Sequence, residues 1–191
     1  MQKTTPNDEK DVRESGKRAI GITAFLLAGM AVLLLATIKP TLPALSPAYK
    51  LVFLNVTASL PRGLYIRIPS WSLQKGDYVV YAPTPQTEEL LRDRRWIEKD
   101  GFLLKKIGAL AQESYTVNPT TQQFSISGKY IGQAFDADRE GNRVPVEYGE
   151  HIVPRGSFLP IGTAPRSFDG RYTGTVPMEN IRAKVIPLIT E

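Results

Sequence analysis

The sequence predicts a mostly β domain with a partly closed sheet, preceded by one amino-terminal transmembrane helix. Three observations lead to this fold class. Residues 19–38 carry no charge. From residue 51 onward, short apolar and β-branched runs alternate with proline and glycine, and only one stretch there has the pattern of a helix. Many short strands with a single helix differ from the strand–helix alternation of a parallel α/β fold.

The uncharged segment at residues 19–38 is long enough to cross a membrane. A helix rises about 1.5 Å per residue, so this segment spans roughly 30 Å, the thickness of a hydrocarbon core. A buried helix of a soluble domain would show a polar stripe, which this segment lacks. A cleaved signal peptide usually has an apolar region of only about 7–15 residues. We therefore predict an uncleaved anchor.

The basic residues on either side of the anchor predict its orientation. The tail before it contains Lys10, Arg13, Lys17 and Arg18. Only Lys39 and Lys50 lie near its other end. Because the more basic flank stays in the cytoplasm, the chain should divide into a cytoplasmic tail, an anchor, a linker and an exported domain, at residues 1–18, 19–38, 39–50 and 51–191. The lipid bilayer is therefore one expected partner.

The elements of the exported domain follow from local patterns. Runs that predict strands lie at residues 64–68, 78–81, 102–110, 124–126, 157–161 and 181–186. One helix is predicted after the second run, with Thr84 as N-cap and Pro85 as the first helical residue, continuing to about Lys99. Asp100 and Gly101 then form a turn.

The composition excludes several classes of site. There are no cysteines, which removes thiol nucleophiles, thiolate metal ligands and disulfides. The single histidine, His151, lies at the polar start of a predicted strand and is interpreted as structural or exposed. The net charge of +5 comes from basic residues interspersed with acids, so nucleic acid is not an expected partner.

A serine-containing segment at residues 55–65 is the first of three that contain chemically interesting side chains. Thr57 and Ser59 precede Pro61 and Gly63. Hydroxyl side chains followed by proline and glycine are typical of a turn. A serine in such a turn becomes a nucleophile only when a base is available.

A candidate base lies in the second segment, where Lys105 and Lys106 interrupt an apolar strand. Successive side chains point to opposite faces of a strand, and both faces here are apolar. At least one ammonium group should therefore be partly desolvated, which lowers the pKa of a lysine. Solvation of both at a sheet edge is the alternative.

The third segment, residues 167–174, contains Ser167, Asp169 and Arg171. If the chain is extended, Asp169 and Arg171 share a face, and an ion pair that holds a loop is the simplest interpretation. A carboxylate at this point could also orient a catalytic side chain.

These three segments, in this order, resemble the conserved boxes of signal peptidase I and its relatives. Ser59 lies in T-x-S-x-P-x-G-L-Y, the lysine pair lies in an apolar strand, and the third segment follows S-F-D-x-R-Y-x-G. Smaller matches lie at residues 76–81, 153–158 and 176–185. The resemblance covers residues 19–188 and implies an antiparallel sheet in a partial barrel, with no metal or cofactor.

The residues around Ser59 distinguish two branches of that family. Housekeeping signal peptidases usually carry S-M-x-P, whereas here Leu60 and Pro61 follow the serine, and Asn55 and Thr57 precede it. This form resembles the TraF branch, the conjugative-transfer peptidases that mature pilin or other transfer-apparatus precursors. It implies a bacterial inner-membrane protein with a periplasmic catalytic domain and an exported precursor as substrate. A general signal peptidase and a non-catalytic anchored β-domain that scaffolds an envelope assembly are the alternatives.

The resemblance implies catalytic roles for three residues. Ser59 matches the nucleophile, and Lys105, the first lysine of the pair, matches the general base. Thr57 matches a hydroxyl that joins the Ser59 amide in forming the oxyanion hole.

Four further residues match supporting positions of the family. Lys106 matches a position that is usually basic, and Ser167 matches a small hydroxyl residue that hydrogen-bonds the lysine amine. Asp169 matches the acid that braces the surroundings of the lysine, with Arg171 as its partner. The chain departs from the family at residues 162–164, where Gly-Thr-Ala replaces the common G-D-N.

Overall fold

The computed structural model describes residues 50–69 and 72–191. The predicted tail, the predicted anchor and nearly all of the predicted linker lie outside the described residues, so these stay predictions. Among the described residues, no helix combines the length and the apolar character needed to cross a membrane.

Strands make up most of the regular structure in the described part of the chain. They are β1 (Val52–Asn55), β2 (Gly63–Ile68), β3 (Tyr78–Tyr81), β4 (Leu103–Leu110), β5 (Ser114–Val117), β6 (Gln123–Ile126), β7 (Lys129–Gln133), β8 (Gly149–Ile152), β9 (Ser157–Ile161), β10 (Val176–Pro177) and β11 (Ile181–Thr190). The helices described are α1 (Pro85–Asp93), α2 (Gly170–Thr173) and a 3-10 turn (Met178–Asn180). The predicted mostly β fold class is confirmed.

The strands form two antiparallel sheets. The larger sheet has the order β1-β2-β11-β3-β4-β9-β10, and the smaller has the order β7-β6-β5-β8. β4 lies inside the larger sheet, between β3 and β9, and Lys105 is in register with Val79 of β3. An interior strand has neighbours on both sides, so a side chain on its packed face is removed from solvent.

Two apolar clusters show how the strands bury one face. In β5 and β6, burial alternates residue by residue, and the buried side chains of Tyr115, Val117 and Phe124 pack together. In the larger sheet, Ile107 of β4 packs with Phe158 of β9 and is fully buried. The face of β4 that carries Ile107 therefore packs into the hydrophobic core.

All six strands predicted from the apolar runs are confirmed, as β2, β3, β4, β6, β9 and β11, and the third begins at Leu103, one residue later than predicted. The last of these is longer than predicted and continues to Thr190, with a register shift between Pro187 and Ile189. His151 lies in β8, where its ring stacks on Tyr115 at 4.8 Å between centroids. The strands that the sequence did not predict include β5 and β7, which are short and rich in polar residues.

The predicted helix is too long at its carboxyl end. It begins at Pro85 after Thr84, as predicted, but ends at Asp93 and not near Lys99. Arg95 has a φ of 56°, in the left-handed region, and the Trp96 ring packs edge-on against Phe168. The segment contains good helix formers, but such a tertiary contact can override helix propensity. The predicted Asp100–Gly101 turn is present, and the Gly101 N–H donates to the Glu98 carbonyl.

Candidate active site

Ser59 lies in the loop between β1 and β2, and one buried amide holds that loop together. Asn55, the last residue of β1, is 7% exposed. Its Nδ2 donates to the carbonyl oxygens of Thr57, Leu60 and Pro61 at 3.1, 3.2 and 3.0 Å. The predicted turn is therefore confirmed, and the Asn55 side chain holds it together, a role that its place in the sequence motif did not reveal.

The serine hydroxyl faces a second hydroxyl. Ser59 Oγ lies 3.0 Å from Thr57 Oγ1, and Ser59 is half-buried whereas Thr57 is exposed. The structure thus brings together the two hydroxyl residues that the sequence singled out in this segment.

The backbone of Ser59 is fixed by the loop that follows β9. The Ser59 carbonyl accepts from the Thr163 N–H at 2.8 Å, and more weakly from the Ala164 N–H at 3.4 Å. A Cβ at Gly162 would lie 1.9 Å from Ser167 Oγ and 2.7 Å from the Ser59 carbonyl oxygen, so no side chain fits there. The loop at residues 162–164 therefore joins the serine turn to Ser167. In the sequence, residues 162–164 were notable only because Gly-Thr-Ala replaces the G-D-N that is common in the family.

Lys105 is a buried lysine. It is 4% exposed, and its Nζ donates to Ser167 Oγ at 3.3 Å. Desolvation lowers its pKa to about 8; the nearby Asp169 charge opposes this shift and the Arg171 charge adds to it. Burial follows from the strand period, because Lys105 shares its face of β4 with the core residue Ile107.

Lys106 occupies a different environment on the opposite face of β4. It is half-buried, and its ammonium lies 4.9 Å from the centroid of the Tyr78 ring. The face of an aromatic ring attracts an ammonium group placed over it. The predicted desolvation of at least one of the two lysines is confirmed, and the desolvated one is Lys105.

Asp169 and Arg171 form a buried ion pair behind the lysine. Both are at most 1% exposed, and Arg171 Nε and Nη2 donate to the two carboxylate oxygens at 2.8 and 3.1 Å. The predicted pair is confirmed, but its local structure is not extended. Asp169 is the N-cap of the short helix α2 and accepts from the Arg171 N–H.

The ion pair also connects distant parts of the fold. Asp169 Oδ2 accepts from the Gly162 N–H at 2.8 Å. Arg171 Nη1 donates to the carbonyls of Gln133, in β7, and Pro165. The pair therefore braces the loop at residues 162–164, which holds both Ser59 and Ser167.

The reactive groups line one cavity of about 1010 Å³. Thr57, Ser59, Lys105 and Ser167 all line it. Much of its remaining wall is apolar, including Phe53, Leu91, Trp96, Phe102 and Phe135. A cleft with apolar walls and a few converging polar groups is the usual form of a binding or active site. Within the described residues, no group of three or more histidine, aspartate or glutamate side chains is placed to hold a metal ion.

The arrangement has the parts needed for acyl transfer. It offers a hydroxyl in a rigid turn and an amine whose pKa is lowered toward neutrality. A lysine of this kind is a suitable general base, because its neutral form is populated near pH 8.

The chain is similar to known proteins of one family. The family described as "Signal peptidase, peptidase S26" matches residues 21–189. The plasmid transfer protein TraF of Escherichia coli is 28% identical over 149 residues, covering 71% of this chain and 81% of that protein. A signal peptidase I of Enterococcus faecalis V583 is 18% identical in a structural superposition that covers 62% of this chain and all of that one, with a TM-score of 0.38. The resemblance inferred from the sequence motifs is confirmed.

Proposed function

We propose that this chain, which belongs to the signal peptidase family, peptidase S26, is a membrane-bound serine endopeptidase that uses Ser59 and Lys105 as a catalytic dyad. The observation that carries the proposal is the burial of Lys105, whose pKa falls to about 8, in the cavity that Ser59 also lines. The similarity to a plasmid transfer protein favours a precursor pilin, or another conjugative-transfer component, as the substrate.

The proposed reaction is acyl transfer. Neutral Lys105 accepts the Ser59 proton, and Ser59 Oγ attacks the scissile carbonyl. The Ser59 amide and the Thr57 hydroxyl stabilise the oxyanion. The lysine then gives its proton to the leaving amine, and water hydrolyses the acyl-enzyme. Attack by an amine of the substrate itself would instead give a cyclic product.

The remaining site residues support this dyad. Ser167 is within hydrogen-bond distance of the Lys105 amine and fixes its position. Asp169 and Arg171 brace the loop beneath Ser167. Lys106 supplies a positive charge on the other face of the strand. The substrate would bind as an added strand, with shallow pockets that select small side chains before the cut.

The proposed location rests on the uncharged segment and its flanking charges. Residues 1–18 would lie in the cytoplasm, 19–38 would cross the inner membrane, and 39–50 would lead to a periplasmic domain at 51–191. Because the chain has no cysteine, single introduced cysteines can be labelled from either side of the membrane to test this orientation.

The function is tested by presenting the intact chain with a precursor pilin and with a set of general exported precursors, followed by mass spectrometry of the products. We expect cleavage of the pilin precursor alone. Cleavage of the whole set would identify a general signal peptidase, and cleavage of none would favour a non-catalytic scaffold. The product mass also separates hydrolysis from cyclisation, because the cyclic product is lighter by one water.

The lowered pKa of Lys105 predicts the pH dependence of cleavage. The neutral amine is the active form, and its fraction rises with pH. We therefore expect kcat/KM to rise about tenfold per pH unit below about pH 8 and to level off above it. The measurement needs a peptide substrate without groups that titrate between pH 6 and pH 10. A rate that keeps rising to about pH 10, the range of a solvated lysine, would contradict a desolvated base.

A further inference from the structure

A chain of hydrogen bonds links Ser59, Thr57 and Asn55. Ser59 Oγ is 3.0 Å from Thr57 Oγ1, which is 2.9 Å from Asn55 Oδ1. Asn55 Oδ1 also accepts from the Thr57 N–H at 3.2 Å. The orientation of the Asn55 amide is fixed, because its nitrogen faces three carbonyl oxygens, and these can only accept.

The direction of this chain follows from the donors and acceptors available. Asn55 Oδ1 only accepts, so the Thr57 hydroxyl must donate to it. A hydroxyl has one hydrogen, so Thr57 has none left for Ser59. The contact between the two hydroxyls is therefore made by Ser59, which donates its proton to Thr57. In this state the nucleophile directs its proton to Thr57 and not to Lys105.

We propose that Asn55 is a positioning residue that sets the direction of this hydroxyl chain, a role that rests on the proposed function. In the free enzyme it holds Thr57 as the acceptor of the Ser59 proton. When substrate binds, two hydroxyl rotations make the site reactive. The Ser59 O–H turns toward the Lys105 amine, and the Thr57 O–H turns from Asn55 to the oxyanion.

Asn55 is suited to release Thr57 at little cost. When the Thr57 hydroxyl turns away, Asn55 Oδ1 still accepts from the Thr57 N–H. No buried acceptor is left unpaired, and leaving one unpaired would be the main penalty of the change. The three carbonyl contacts of Nδ2 meanwhile keep the turn in place. Aspartate would lack these donors, and alanine would lack both donors and acceptor.

A double-mutant cycle tests whether Asn55 acts through Thr57. Thr57→Val in the wild-type background should lower kcat by about 10²–10³-fold with little change in KM, because an oxyanion donor is lost. In the Asn55→Ala background the same change should cost less than about tenfold, because Thr57 is no longer held in place. Thr57→Val losses of equal size in the two backgrounds would show that Asn55 does not act through Thr57 and would overturn the inference.

Asn118→Ala is the matched control. Asn118 also organises a turn, accepting from the Thr120 and Thr121 N–H groups, but it does not line the cavity. Its replacement should leave kcat unchanged. If Asn118→Ala and Asn55→Ala lowered kcat by the same factor, a general loosening of turns would explain both losses, and the inference would fail.

Neutron diffraction of the intact wild-type chain gives an answer even if Asn55→Ala fails to fold. We expect the Ser59 deuteron to point to Thr57 Oγ1 and the Thr57 deuteron to point to Asn55 Oδ1. A Ser59 deuteron directed at Lys105 in the free enzyme would overturn it. Absence of precursor cleavage by the wild type would instead count against the proposed function, so the two failures are distinguishable.

Discussion

Replacing Ser59 with alanine or Lys105 with methionine is expected to lower kcat/KM for precursor cleavage by roughly 10⁴-fold or more. Each change removes one member of a dyad, either the nucleophile or the group that accepts its proton. The double variant should be about as inactive as either single variant, because the nucleophile and the base act only together. The measurement compares initial cleavage rates of the wild type, the two single variants and the double variant on one precursor.

Lys106→Met is the matched control for the lysine. It makes the same chemical change one residue along the strand, where the ammonium lies over the Tyr78 ring and outside the cavity lining. We expect a far smaller loss than for Lys105→Met. Normal processing by Lys105→Met together with an inactive Lys106→Met would show that the base had been assigned to the wrong lysine.

Loss of activity in Lys105→Met should not come from unfolding. The folded protein lowers the pKa of Lys105 from 10.5 to about 8, so between these values the unfolded chain binds more protons and stability rises with pH. Below about pH 8 the charged lysine costs the folded state about 3 kcal/mol. Methionine removes that charge, so at pH 7 the variant should be more stable than the wild type. A lower Tm for Lys105→Met would contradict the burial of a charged amine.

The choice between the two lysines shows where sequence reasoning stops. The strand period places Lys105 and Lys106 on opposite faces, and both faces carry apolar residues. Which face is buried depends on packing against β9, whose residues lie about fifty positions along the chain. Local pattern therefore predicts one desolvated lysine, and only tertiary packing identifies it.

The same limit applies to residues that act through backbone groups. The backbone N–H groups of Thr163 and Ala164 hold the serine turn by donating to the Ser59 carbonyl. Such contacts leave no composition or periodicity signal, because almost any residue can supply a backbone amide. The helix end was missed for a related reason: Trp96 packs against Phe168, which is far away in the sequence. Strands with a clear apolar run were predictable, because the run of residues that becomes buried is visible in the local sequence.

Arg171→Met is expected to lower the free energy of unfolding by about 3–5 kcal/mol. The variant leaves the Asp169 carboxylate, which is 0% exposed, without its charged partner. It also removes the donors to the Gln133 and Pro165 carbonyls. Denaturant titrations of the wild type and the variant, fitted for the unfolding midpoint and slope, give the difference.

Lys75→Met provides the comparison that isolates burial as the cause. Lys75 pairs with Glu113, but its side chain is 50% exposed. An exposed ion pair contributes at most about 1 kcal/mol, so this variant should be nearly as stable as the wild type. Equal and small losses in the two variants would mean that the Asp169 charge finds other compensation when Arg171 is absent. A large loss in Arg171→Met alone would show that burial, and not ion pairing as such, makes the Asp169–Arg171 pair important for stability.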